Sequence, residues 1–389
     1  MQRIGFAIIL AVVGTARGAL GQAEDRLKSR FDAVVKAQDE ASARYHGGLA
    51  EAKTPESSQA AIDRFLKDVH KNTEDALDMA KAYPNNPLVI DVLKFVVRTA
   101  RAGPGDESYR AMEILARDHT RAPGMGEFCG QCFYFFHSPV SEKMIRSVLA
   151  THPNRDDRGF ACHALAEYLK YKAKMVRRLR ESPDRIKDYE ETRGKNEVER
   201  FVKETDPDAQ EKEAEWLLER VVAEFGDVKH PLDKRTEGEF AAGELFAMRN
   251  LTVGKVAPEI EGKDDKGTTF RLSDYRGKVV VLTFSGNWCG PCVAMYPQQR
   301  TLISKWKDKP FALLSVTTDS TLETLAMAID EGKITWRCWW DGGTDGPITT
   351  RWGVGSFPSI FVLDKQGVIR FMDVKGKDFD AAVDSLLEK

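Results

Sequence analysis

Ser285-Gly286-Asn287-Trp288-Cys289-Gly290-Pro291-Cys292 follows the apolar run Lys278 to Phe284 and opens the helically spaced stretch Cys292 to Trp306. A buried strand therefore feeds a helix, with two cysteines at the junction. Thiol chemistry depends on that location. The thiolate is the nucleophile, and unpaired N–H groups together with the macrodipole stabilise it at a helix N-terminus. Cys289 is placed as the exposed attacker. Cys292, three residues on, shares its helical face and lies within disulfide reach, where it resolves a mixed disulfide. Pro291 suits the first helical turn, where an N–H is not needed.

Working outward, the pattern predicts strands over Lys278 to Phe284 and Phe311 to Thr317 and helices over Cys292 to Trp306 and Leu322 to Glu331. Ser359 to Leu363 and Val368 to Val374 flank Asp364-Lys365-Gln366-Gly367, a hairpin signal, and Asp378 to Glu388 closes the chain as a helix. The order β-α-β-α-β-β-α is a mixed sheet covered by helices.

With Trp288 before the pair, Gly290-Pro291 within it and Phe357-Pro358 before a strand, this part resembles the thioredoxin superfamily. Within it, the similarity is to TlpA/ResA-like exported thiol–disulfide oxidoreductases, over about Val253 to Leu387. Further marks are Val253-Gly254-Lys255-Val256-Ala257-Pro258 and Leu272-Ser273-Asp274-Tyr275-Arg276-Gly277-Lys278. The resemblance implies that Pro358 is cis, packs on the disulfide and holds a substrate backbone beside it, with Phe357 adjacent. It also implies protein thiol or disulfide substrates, no dissociable cofactor, and an upstream electron donor or acceptor, often a membrane protein. Two positions depart from the family. Thr283 stands where thioredoxins carry a buried Asp, and the Glu that ResA-like proteins place after the next strand falls in Thr317-Thr318-Asp319-Ser320. Asp319 or Glu323 is the substitute.

Residues 24–250 read differently. Ile62, Phe65, Leu66, Val69, Ala76, Leu77, Ala80 and Tyr83 repeat at helical spacing, and Tyr83-Pro84 ends the helix. Similar spacing recurs over Leu88 to Ala100, around Tyr109 to Ala116 and from Ala161 to Leu179. The expectation is an all-α domain of packed helical hairpins, repeat-like but with no repeat consensus, followed over residues 251–389 by the α/β thioredoxin-like fold. Between Lys170 and Lys212 both charge signs alternate, which reads as a solvated helix face or a flexible excursion.

Residues 1–23 form a third section. Arg3, the uncharged apolar stretch Ile4 to Val13 and the small residues of Gly21-Gln22-Ala23 read as a cleaved signal peptide. The apolar stretch is about half of the ~20 residues that span a bilayer. Export to a periplasmic or other extracytoplasmic space follows, as a soluble protein. The 389-residue chain is 30% charged with a formal net charge of −2, which provides no general attraction for nucleic acid.

Other chemistries fit less well. Zinc needs four soft ligands, and the second half adds only Cys338 to the pair and has no histidine. Haem attachment needs His after the second cysteine, where Val293 stands. A peroxiredoxin-like peroxide reductase shares the fold, but Gly286 occupies the position three before Cys289 where Thr or Ser is required. A non-enzymatic alternative makes the helical domain a partner-binding module. In Glu127-Phe128-Cys129-Gly130-Gln131-Cys132-Phe133, Cys129 and Cys132 read as a structural staple or a second redox pair. A metal site with Cys162 and His137 or His163 matches no spacing on which to rest it, so Cys162 is read as a packed helix residue, and Cys338, in Trp336-Arg337-Cys338-Trp339-Trp340, as a buried strand residue.

Overall fold

The computed structural model describes residues 4–100, 106–135, 138–231 and 233–388. The chain divides into two compact units, the first ending at Phe225 and the second beginning at Gly226. The division falls ahead of the change in sequence style at Leu251, so the helix Glu237–Asn250 groups with the second unit.

The first unit is helical: α1 (Ile4–Glu51), α2 (Pro55–Ala82), α3 (Val89–Ala100), α4 (Glu107–Asp118), α5 (Met125–Cys129), α6 (Pro139–Thr151), α7 (Arg155–Glu181), α8 (Pro183–Arg193), α9 (Lys195–Glu204) and α10 (Pro207–Phe225). Their starts are written locally. Thr54 forms a capping box with Ser57 ahead of Pro55, and the Asn154 side chain accepts from Asp156 N and Asp157 N at 2.7 and 3.1 Å. Val92, Leu93, Val96 and Val97 of α3, Leu165 and Leu169 of α7 and Leu217, Leu218 and Val221 of α10 are buried, the i, i+3/i+4 stripe that the spacing predicts. The charged stretch from Lys170 is mostly helical, with breaks at Ser182, Gly194 and Thr205-Asp206, and Arg177 of α7 pairs with Asp208 and Glu211 of α10. No helix among the described residues is long and apolar enough to cross a membrane.

The second unit comprises α11 (Glu237–Asn250), β1 (Glu261–Lys263), β2 (Thr269–Arg271), β3 (Val279–Ser285), α12 (Gly290–Lys305), β4 (Phe311–Thr317), α13 (Leu322–Asp330), β5 (Arg337–Trp340), α14 (Pro347–Arg351), β6 (Ser359–Leu363), β7 (Ile369–Met372) and α15 (Lys377–Leu387). The main sheet has the order β5-β4-β3-β6-β7, with β3, β4 and β5 parallel and β6 and β7 antiparallel. Period two divides β3 between two cores. Val279 and Val281 pack with Tyr296, Leu302 and Phe379, while Val280, Leu282 and Phe284 pack with Trp339, Trp352 and Phe361. Burial on both faces is why β3 reads as a nearly continuous apolar run interrupted only by Thr283 before its terminal Ser285. Three strands lie outside the β-α-β-α-β-β-α order, although Cys338 of β5 reads as a buried strand residue. β1 and β2 have three residues each and β5 four, too short to display an alternation.

Candidate functional site

The site is the turn between β3 and α12, residues 286–289, at the C-terminal edge of the parallel strands. Cys289 and Cys292 are joined by a disulfide with Cα atoms 5.2 Å apart. Cys289 caps α12, and its Sγ accepts the Cys292 N–H at 3.2 Å. In the reduced protein that N–H and the helix dipole favour a thiolate on Cys289. The exposed attacker expected from the sequence is recessed instead. Cys289 keeps 5% of its surface and Cys292 2%, because the Cys289 sulfur turns toward the helix end rather than outward.

Trp288 folds back over Gly286, and its Nε1 donates to Thr318 O at 3.1 Å. A Cβ on Gly286 would lie 2.3 Å from that nitrogen, so only glycine admits this ring position. The Trp288 ring meets Phe357 edge-on at 5.3 Å between centroids. The Phe357–Pro358 peptide is cis. Phe284 pairs with Ser359 in the β3–β6 ladder, which brings Pro358 level with the end of β3 where the cysteine turn begins. The topology thereby joins residues about seventy apart in the chain into one site.

A part-buried polar network supports the turn. Asp319 accepts from Asn287 N at 2.8 Å and from Asn287 Nδ2 at 2.9 Å, and Tyr296 Oη donates to Asn287 Oδ1 at 3.4 Å. Burial raises the Tyr296 phenol well above its ordinary range, so it stays a donor. Of the two acids weighed from the sequence, Asp319 is buried at the site and Glu323 is exposed on α13. Thr283, on β3 itself, shares a hydrogen bond with Ser315 at 2.6 Å. The sequence carried no signal for Asn287, Thr318 or Tyr296, because their partners lie across the sheet or on the next element.

The AhpC/TSA family matches residues 253–372. The thiol-disulfide oxidoreductase ResA of Bacillus thuringiensis subsp. konkukian is 29% identical over 147 residues, covering 38% of this chain and 83% of that protein. ResA of Geobacillus kaustophilus is 31% identical over 120 residues, covering 31% of this chain and 68% of that protein. The chain belongs to the ResA-related thiol–disulfide oxidoreductases. Among solved structures, the thioredoxin domain of a thiol-disulfide oxidoreductase from Bacteroides vulgatus is 29% identical, covering 36% of this chain and 99% of that chain with a TM-score of 0.33.

In this ResA-related chain, the cysteines outside the Cys289–Cys292 turn are buried free thiols. The staple or second redox pair expected at Cys129 and Cys132 is not a formed bond in this structure. Cys129 ends α5, Cys132 opens a 3₁₀ turn, and the Cys132 thiol donates to Phe128 O at 3.8 Å instead of bonding to its neighbour. Burial pushes the Cys132 thiol from 9.0 up to about 12 and raises Cys129 well above its ordinary value. Gly126, just ahead, sits against the start of α7: a Cβ there would lie 2.2 Å from Asp157 O. Cys162, also raised to about 12 by burial, faces Leu217 O at 3.6 Å as a packed helix residue. Cys338 is fully buried in β5, and His137 lies outside the described residues.

These shifts predict two behaviours. At pH 8 a thiol with a pKa of about 12 is thiolate in only about one molecule in ten thousand, so native Cys132 should resist alkylation until the first unit opens, and Cys129, raised in the same direction by burial, should resist with it. Labelling of either at the rate of an unfolded peptide, read by mass spectrometry, would refute the burial argument. The folded pKa values are raised, so the stability they contribute is complete below about pH 9. It is lost as pH rises toward about 12. The urea midpoint of the first unit should accordingly fall between pH 9 and 11.

One His/Glu cluster in the first unit brings ligand-capable atoms together: His70, Glu74 and Glu107 lie within 4.8 Å of one another. Glu74 is already paired with Arg110, and Glu107 shares a hydrogen bond with His70, so both carboxylates have side-chain partners.

Proposed function

We propose that this chain is an exported reductase of protein disulfides that works through Cys289 and Cys292. The observation that carries the reading is the Cys289 sulfur held at the N-terminus of α12, accepting the Cys292 N–H beside Phe357–Pro358. The Cys289 thiolate attacks one sulfur of a client disulfide, forming a mixed disulfide and expelling the first client thiolate. Cys292 loses its proton and attacks the Cys289 sulfur. The Cys289–client bond breaks, the second client thiolate leaves and takes up a proton, and the Cys289–Cys292 disulfide forms. Two electrons pass from enzyme to client, and the cysteine pair is the only redox group needed. Gly290-Pro291 between the cysteines favours the reducing direction by resemblance to thioredoxin. Arg3, Ile4 to Val13 and Gly21-Gln22-Ala23 support export with signal cleavage, and a membrane protein is the electron donor that the resemblance implies.

The test is a redox titration in glutathione and dithiothreitol buffers, with differential alkylation of the Cys289 and Cys292 peptides. A midpoint near about −250 mV or lower is the expected result, and one above about −180 mV would make the protein an oxidant or isomerase. Hydrogen peroxide consumed faster than disulfides would favour the peroxidase alternative.

Asp319 acts in this scheme through Asn287, by fixing the turn that presents Cys289. Asp319→Ala should slow client reduction about tenfold, and Asp319→Asn, whose amide oxygen still accepts from Asn287 N, should recover most of that. If the Asn variant is as slow as the Ala variant and the pH–rate profile changes with it, the carboxylate takes the Cys292 proton directly.

A further inference from the structure

We infer that Trp340 is a specificity-determining residue, the second wall of an apolar shelf that selects clients with an aromatic or large apolar side chain next to the attacked cysteine. The inference rests on the disulfide-exchange reading of Cys289. Trp340 ends β5 and pairs with Thr317 at the end of β4, so it stands on the sheet edge from which the cysteine turn springs. Its indole N–H donates to Asp319 O at 2.9 Å, and that of Trp288 donates to the adjacent Thr318 O at 3.1 Å. Both rings are pinned by their polar atoms to one short loop. What remains is hydrocarbon: 54% of Trp288 and 36% of Trp340 are exposed, and Leu322, three residues past Asp319, is 37% exposed. The neighbouring Trp339 is fully buried, so the alternation of β5 places one tryptophan in the core and the next on the rim.

The recess of Cys289 makes this rim consequential. With only 5% of Cys289 exposed, a client sulfur reaches it by descending between these side chains, and the residues flanking the client cysteine meet the rings. Trp288 adjoins Cys289 in the chain, and Trp340 is held by the carbonyl next to the one that holds Trp288. Rigid, pre-positioned aromatic faces bind apolar or aromatic groups by area and ring geometry and repel a charged one by desolvation. The occupant is therefore an extended segment of a partly unfolded client, with its cysteine over Cys289 and an apolar neighbour on Trp340.

The experiment uses the reduced full-length protein and follows single-turnover oxidation of Cys289–Cys292. Its probes are hydroxyethyl disulfide and two single-disulfide peptides that differ only in Phe or Asp beside the attacked cysteine. The wild type should react about tenfold faster with the Phe peptide. Trp340→Gln, whose amide still donates to Asp319 O but offers no ring, should reduce that ratio to within about twofold. Its rate with hydroxyethyl disulfide should stay unchanged, and Trp340→Phe should restore most of the ratio. A wild-type ratio near one, or a ratio that survives Trp340→Gln, would overturn the proposal. Hydroxyethyl disulfide that is inert toward the wild type would instead sink the exchange reading beneath it. The hydroxyethyl rate and a thermal melt report whether each variant is folded, and the Phe variant tests the shelf should the Gln variant fail to fold.

Discussion

Cys289→Ser is expected to lower client disulfide reduction by about a thousandfold or more, because the hydroxyl that replaces the thiol is neither ionised at neutral pH nor able to form a disulfide. Its partner variant should behave differently. Cys292→Ser leaves the attacking thiol in place with the backbone N–H of position 292 still aimed at it, so mixed disulfides with clients form and cannot be resolved. The measurements are a coupled reduction assay for the first variant and a non-reducing gel for the second. Cys289→Ser activity near wild type would remove the mechanism altogether. A Cys292→Ser gel without adducts would leave Cys289 as the nucleophile but assign resolution to another group. Neither change should unfold the second unit, because serine is close to cysteine in volume and the strands on either side keep their packing.

The second large effect concerns stability. Trp339 is fully buried on β5, stacked on Phe270 with ring centroids 4.2 Å apart and planes 8° from parallel, and its Nε1 donates to Phe270 O at 3.2 Å. Trp339→Ala removes that stack, empties a ring-sized space between β5 and the β1–β2 hairpin and leaves the Phe270 carbonyl without this donor. The expected cost is about 3–5 kcal/mol, a large share of the roughly 5–15 kcal/mol that holds a typical domain. Chemical denaturation followed by circular dichroism reads it as a lowered midpoint. A loss under about 1 kcal/mol would mean that the hairpin and β5 do not share one core. Trp340, one residue on and on the rim, should change stability far less, which separates a packing tryptophan from a client-facing one.

The sequence was most legible where one segment supplies its own reason for folding. Val279 to Phe284 is apolar on both faces because the strand is buried on both, and Thr54, Asn154 and Pro291 mark helix starts with their own side chains. The same holds for the cysteine pair of the second unit, since three residues along a helix start bring two sulfurs together wherever that helix lies. It was less legible where the pattern is brief. The β1–β2 hairpin has three-residue strands, and β5 pairs only through Arg337 to Trp340 with β4. The Cys129 and Cys132 spacing says less for a related reason. It matches that of Cys289 and Cys292, but one pair opens an α-helix with a sulfur on its N-terminal N–H and the other ends a short helix inside a core.

Sequence alone determined that the chain has a helical first part and a mixed α/β second part, and that Cys289 and Cys292 stand within disulfide reach at a helix start. Those facts rest on periodicity, capping and spacing, which are local. Tertiary structure alone decided that Asp319 grips Asn287, that Gly286 makes room for the Trp288 ring, and that Trp339 is core while Trp340 is rim. Each of those depends on which strand lies beside which. Sheet pairing brings together residues tens of positions apart, and no local pattern specifies the partner that a polar side chain meets there.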